Sequence, residues 1–243
     1  MAAGDTVARA VARARAAWSR AAGTGGRRDR DPRDALAALG RDAAGAGLVV
    51  GSGGNLSARR PGAGVCWVTA SGAWLDRLGR ADFVRVPIAD TAASFPARGV
   101  RPSSEVELHR YLYRARPDVN AIAHLHPQSV ILLDALGERI RLVSTDHAYY
   151  LRKVVRVGFH LPGTRALAAA VARAAADGAD CLVLAHHGCV VLADTVELAH
   201  KRARYLEEAA RLTWRALALG RPDVPECPPD FLRHVEGSGA GDI

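Results

Sequence analysis

Two histidines, His124 and His126, stand one residue apart in the strand-like run from Val119 to His126. Side chains alternate along an extended strand, so residues i and i+2 project from one face and can share a metal ion. Just upstream, Ser103-Ser104-Glu105-Val106-Glu107 opens a helical pattern. Ser104 as N-cap with Glu107 three residues on predicts a capping box, which leaves Glu105 free to face that metal. A further histidine comes from His186-His187-Gly188, at the end of the apolar run Cys181 to Ala185. Neighbours on a strand face opposite ways, so one of this pair is expected to complete the set. Three neutral imidazoles leave the ion its full charge and one or two open positions, as in catalytic rather than structural zinc sites. Such an ion polarises a carbonyl or stabilises an enediolate-like oxyanion. Glu105 would ligate the empty site and act as base once substrate displaces it.

A second group of residues suits an anion. Gly54 and Asn55 end a glycine-rich loop that begins at Gly51, and Ser71-Gly72 follows the next strand. Ser103 and Ser104 stand at the start of the central helix, where backbone N–H groups favour negative charge. The pocket so described is uncharged and suits a phosphate or a carboxylate.

The elements that must position these groups alternate in type. Asp31-Pro32-Arg33-Asp34 starts a helix to about Ala44. Leu56–Arg59 and Val65–Thr69 read as a hairpin, Phe83–Ile88 as a strand, and Asp90–Val100 as a weak one. Pro127 opens a helix to about Leu136. Strands are expected near Ile140–Val143 and Val154–Gly158, with the string Ser144 to Tyr150 between them. Pro162-Gly163-Thr164 caps a helix to about Ala176, and a long helix runs from Thr195 to about Leu219 with one apolar stripe. A further surface helix is expected over Asp5–Arg20, and an irregular Pro-rich tail from Gly220. The mixture predicts helices on both faces of a mixed sheet.

Composition narrows the functional classes. Residues 1–33 hold eight Arg and three Asp, so +5 of the net +8 belongs to that segment and +3 to the other 210 residues. With four Phe, five Tyr, four Trp and no recognisable motif, nucleic-acid binding is not expected. Cys66, Cys181, Cys189 and Cys227 form no C-x-x-C pair, which fits a reducing cytoplasm. No apolar run reaches membrane-spanning length, and no secretory leader is read.

Five motifs in order carry a family resemblance: Gly54-Asn55-Leu56-Ser57-Ala58-Arg59, Thr69-Ala70-Ser71-Gly72, Ser103-Ser104-Glu105 with His109, His124-Leu125-His126-Pro127, and His187-Gly188 before the long helix. Together they resemble the class II aldolase/adducin family. The resemblance implies an α/β three-layer α/β/α sandwich on a mixed, largely antiparallel sheet, spanning 31–219, with a basic extension over 1–30 and a tail over 220–243. It implies one divalent ion per subunit on His124, His126 and His187, zinc first, with manganese, cobalt or iron as alternatives. Glu105 becomes the acid/base residue, and Gly54, Asn55, Ser71, Gly72, Ser103 and Ser104 line the anion pocket. A second acid comes from a neighbouring subunit in a cytoplasmic homotetramer, Tyr149 with His147 as its rival. The implied reaction is aldol cleavage or formation on a small hydroxy-carbonyl compound, often phosphorylated. A decarboxylase of dihydroxy-aromatic or keto acids, an epimerase and a non-catalytic adducin-type scaffold are the alternatives, and the histidines favour an enzyme.

Overall fold

The computed structural model describes residues 31–89 and 99–237. The helix expected over Asp5–Arg20, the basic N-terminal segment and most of the weak Asp90–Val100 strand lie outside the described residues.

Helix α1 (Pro32–Gly45) precedes β1 (Asn55–Ala58), β2 (Val65–Thr69) and β3 (Phe83–Pro87). Helix α2 (Val106–Ala115) leads to β4 (Ala121–Leu125), followed by α3 (Gln128–Ala135), α4 (Thr145–Leu151) and β5 (Val154–Val157). Helix α5 (Arg165–Ala176), β6 (Cys181–Leu184), β7 (Gly188–Ala193) and α6 (Val196–Ala218) complete the domain. The seven strands form one sheet in the order β3-β2-β1-β4-β7-β6-β5. Every pairing is antiparallel except β5 with β6, which α5 joins as a crossover. The mixed sheet expected from the sequence pattern, and its largely antiparallel character implied by the family resemblance, are therefore present.

Alternation along the strands divides the core in two. Leu56, Ala121, Ala123, Leu125, Val183 and Val191 face the layer of α1, α3, α4 and α6. Ile122, Leu182, Leu184, Val190 and Leu192 face α2 and α5. His124 lies two residues beyond Ile122 on β4 and shares its side of the sheet, so period two delivers an imidazole to the end of the α2 layer. Asp180 locks the layers together at the far end of β6. Its carboxylate accepts from Arg116, just past α2, and from Arg202 of α6, each at 2.8 Å.

Three local expectations are corrected: the capping box, the strand at Ile140–Val143 and the irregular tail. Glu105, not Ser104, is the N-cap of α2, with no side-chain cap bond. Glu107 pairs with Arg110 at 2.5 Å, so the capping box is absent. No strand forms at Ile140–Val143, because its N–H groups go to side chains: Arg141 donates to Thr213 Oγ1 at 2.9 Å and Leu142 to Glu226 at 3.4 Å. Residues 145–151 are helical because Ser144 caps them, accepting from the His147 N–H at 3.1 Å. Helix α7 (Pro229–Gly237) occupies part of the tail expected to be irregular; it begins with proline at its first position and belongs to a separate unit.

Candidate metal centre

The site starts from β4 and its antiparallel neighbour β7. His124 is fully buried, and its Nδ1 lies 2.9 Å from the Cys189 carbonyl. Only a protonated Nδ1 can bond a carbonyl, so in the neutral ring Nε2 carries the lone pair. That atom is 3.0 Å from Glu105 Oε2 and 3.1 Å from His126 Nε2. His187 Nε2 stands 3.7 Å from Glu105 Oε1. Donor atoms of His124, His126 and His187 all lie within 4.8 Å of one another.

The turn after β6 separates the two adjacent histidines. His186 adopts a left-handed φ of 55°, and its N–H donates at 2.7 Å to Asp134 Oδ2 of α3. Its ring sits near Phe159, 6.5 Å between centroids, whereas the His187 ring is 4.7 Å from His124. The resemblance chose His187, and the structure places that residue with the other two.

Glycines permit the close approach. A Cβ on Gly188 would collide with the Leu125 carbonyl and meet the His126 ring at 2.7 Å. Gly54, at φ 75°, lies so close to β4 that a Cβ would meet the His124 carbonyl at 2.5 Å. The glycine-rich loop thus clears room for the histidine strand, apart from anything its amides offer an anion.

Electrostatics suit a cation at this point. Burial opposes ionisation of Glu105, yet hydrogen bonding and charge from His124, then the Asn55 amide and His187, hold its carboxyl well below the usual range. Burial, then the charges of His124 and His187, pull His126 down to about 4, and His187 is lowered by burial first and His124 second. His126 and His187 therefore face the cluster as neutral lone pairs at pH 7. A proton on His124 Nε2 points along one line and serves one neighbour. His124, His126 and His187 would hold an ion where one proton cannot serve all three, and Glu105 Oε1, which has no hydrogen-bond partner among the described residues, could join them. The donor set of three imidazoles and one carboxylate fits a divalent transition metal.

The remaining expected residues fall in three places. Ser71, Gly72 and Ser104 are exposed, and Ser103 is buried. The 101–103 and 69–71 segments are joined by Ser71 N–H to Arg101 O at 2.8 Å and Ser103 N–H to Thr69 O at 2.9 Å, which gathers these residues at one rim. The Asn55 side chain is buried and committed inward, its Nδ2 donating to Glu105 Oε2 at 2.9 Å. Tyr149 and His147 lie on α4: the Tyr149 ring meets Tyr150 at 5.0 Å, and His147 Nε2 is 3.6 Å from Glu208 of α6. Neither contact joins them to the three histidines of their own chain.

Sequence reasoning gave no site role to Cys189, Asp134, Tyr113, Ser57 or His109, although Ser57 and His109 stand within the family motifs. Their effects arise from contacts between residues 52 or more apart, so local spacing carried no signal for them.

Comparison with known proteins agrees with this architecture. The family model described as Class II Aldolase and Adducin N-terminal domain matches residues 34–214. An L-fuculose phosphate aldolase of Methanococcus vannielii is 32% identical over 164 residues, covering 68% of this chain and 85% of that protein. A 5-methylthioribulose-1-phosphate/5-deoxyribulose-1-phosphate aldolase of Rhodospirillum rubrum is 33% identical over 190 residues, covering 78% and 82%. Among solved structures, an L-fuculose 1-phosphate aldolase superposes with a TM-score of 0.72 at 25% identity, covering 86% of this chain and 95% of that one. Among the described residues no helix is long and apolar enough to cross a membrane. With its family-model match running from α1 through most of α6, the chain belongs to the class II aldolase and adducin family.

Proposed function

We propose that the protein is a divalent-metal-dependent aldolase acting on a sugar phosphate or a close hydroxy-carbonyl relative. The observation that carries this reading is the clustering of three imidazoles, two of which place a nitrogen 3.0 Å and 3.7 Å from a buried, ionised Glu105. The named relatives act on fuculose and ribulose phosphates, which supports a sugar-phosphate substrate.

His124, His126 and His187 would hold the ion, zinc being the first choice for such a donor set. When bound, it supplies Lewis-acid stabilisation of negative charge on substrate oxygens. Glu105 does the proton work: in the condensation direction its carboxylate takes a proton from the carbon next to the carbonyl, and in cleavage it returns one. Asn55 orients that carboxylate. The rim of Ser71, Gly72, Ser103 and Ser104, with Gly54 at its edge, receives the phosphate through hydroxyl and backbone N–H groups. Tyr149 of an adjacent copy in a homotetramer acts as the second acid, with His147 as its rival. The protein works in the cytoplasm.

The test incubates metal-loaded protein with dihydroxyacetone phosphate and an aldehyde, and separately with dihydroxybenzoate-type acids while carbon dioxide is followed. Condensation in the first arm is expected. Carbon dioxide release in the second, without condensation, would replace the aldolase reading by decarboxylation.

A further inference from the structure

Behind Glu105 runs a buried hydrogen-bond chain that the proton chemistry does not itself require. Asn55 Oδ1 is 2.5 Å from His109 Nε2, His109 Nδ1 is 2.6 Å from Ser57 Oγ, and Ser57 Oγ is 2.8 Å from the Tyr113 hydroxyl. Asn55, Ser57, His109 and Tyr113 are all buried, His109 completely. They come from β1 and α2 alone, with β1 paired to β4 through Asn55 and His124.

Each bond has one allowed direction. The Glu105 carboxylate only accepts, so Asn55 must present Nδ2 to it, which turns Oδ1 toward His109. Oδ1 only accepts, so His109 carries its proton on Nε2. Nδ1 of a neutral ring then accepts from the Ser57 hydroxyl, and Ser57, its proton spent, accepts from Tyr113. Burial, with the charge of His124 second, keeps His109 neutral by drawing it down to about 3. Were the Asn55 amide reversed, its carbonyl oxygen would face a carboxylate oxygen and drive it away from its present position.

We propose that His109 is a positioning residue: held as the Nε2-protonated tautomer by Ser57 and Tyr113, it locks the Asn55 amide in the orientation that aims Glu105 at the metal centre. The kinetic part of this inference rests on Glu105 as the base; the tautomer part does not.

Two kinds of measurement test it. In metal-free protein labelled with 15N-histidine at pH 7, His109 is expected to show a protonated Nε2 and an unprotonated Nδ1. Ser57→Ala removes the O–H that Nδ1 accepts, and should let the other tautomer appear. In the loaded enzyme, His109→Phe should lower kcat by about 10–100-fold with KM little changed, the size typical of residues that orient a metal site from behind. His109→Gln, which offers both a donor and an acceptor, should recover most of that loss. An Nδ1-protonated ring in the wild type, or an unchanged tautomer and kcat in Ser57→Ala, would overturn the proposal, and Ser57→Ala keeps the test decisive if His109→Phe does not fold. If the wild type turns over no aldol substrate, the function is wrong while the nitrogen spectra still decide the role of His109.

Discussion

The Cys189 carbonyl on β7 meets Nδ1 of His124 on β4 at 2.9 Å, and this bond decides which edge of the ring faces the site. Both residues are fully buried, so the strand pairing itself fixes the tautomer. The candidate metal centre thus depends on the β4–β7 register, and a backbone group that no side-chain substitution removes does the orienting.

The ligand set predicts how metal binding fails. Purified protein should hold close to one divalent ion per chain. His126→Ala should weaken binding by more than about 100-fold, beyond the loss expected from an outer partner. Competition with a chelating dye checks this, and unchanged affinity would remove His126 from the set.

Gly188 gives a packing prediction. It pairs with Leu184 across β6 and β7 and has no room for a methyl group beside Leu125 and the His126 ring. Gly188→Ala should cost about 1–3 kcal/mol of stability through overpacking and weaken metal binding at the same time. Thermal melts with and without metal read both effects, and an alanine variant with wild-type affinity would contradict the account.

Acid should destabilise the metal-free fold through its buried neutral histidines. The ordinary histidine value is about 6.5, whereas folded His126 and His109 lie at about 4 and about 3, with burial the leading cause for each. Between those values the unfolded chain binds protons that the folded chain does not, so stability is full above pH 6.5 and falls as the pH drops. His109 alone contributes about 1.4 kcal/mol per pH unit in that window. Urea midpoints at pH 7.5 and pH 5 should therefore differ, with the lower value at pH 5. A flat or opposite trend would contradict the burial of neutral histidines.

The second acid can be tested by mixing subunits. Glu105→Gln and Tyr149→Phe should each lose most of the turnover alone, general acid–base steps being worth about 10²–10⁴-fold. If the proposed cyclic tetramer shares its sites between neighbours, co-expression of the two chains should restore activity, because roughly a quarter of sites in random tetramers would hold both native residues. Complementation by His147→Asn instead of Tyr149→Phe would transfer the role to His147.

What the sequence made legible follows from periodicity. H-x-H on a strand puts two imidazoles on one side of a sheet by geometry alone, and the strand runs Val65–Thr69 and Cys181–Leu184 are where alternation and apolarity predict them. The choice between His186 and His187 was not available from spacing: it depends on a left-handed turn that Asp134, 52 residues away, holds by its carboxylate. The capping box failed for a similar reason. Glu105 is drawn to His124 and Asn55, which fixes it at the helix start, and Glu107 finds Arg110 instead. Long-range partners hold His186 and Glu105, while Glu107 is taken by Arg110, three residues on.

The most direct test of the central claim follows the proton that Glu105 is assigned to move. Metal-loaded protein in D2O with dihydroxyacetone phosphate and no aldehyde should exchange one carbon-bound proton of the substrate for deuterium, seen by proton NMR. Chelation should stop the exchange, and Glu105→Gln, with its metal retained, should slow it by about 10²-fold or more. Exchange at the wild-type rate in Glu105→Gln, or none in the loaded wild type, would contradict a metal-dependent aldolase with Glu105 as its base.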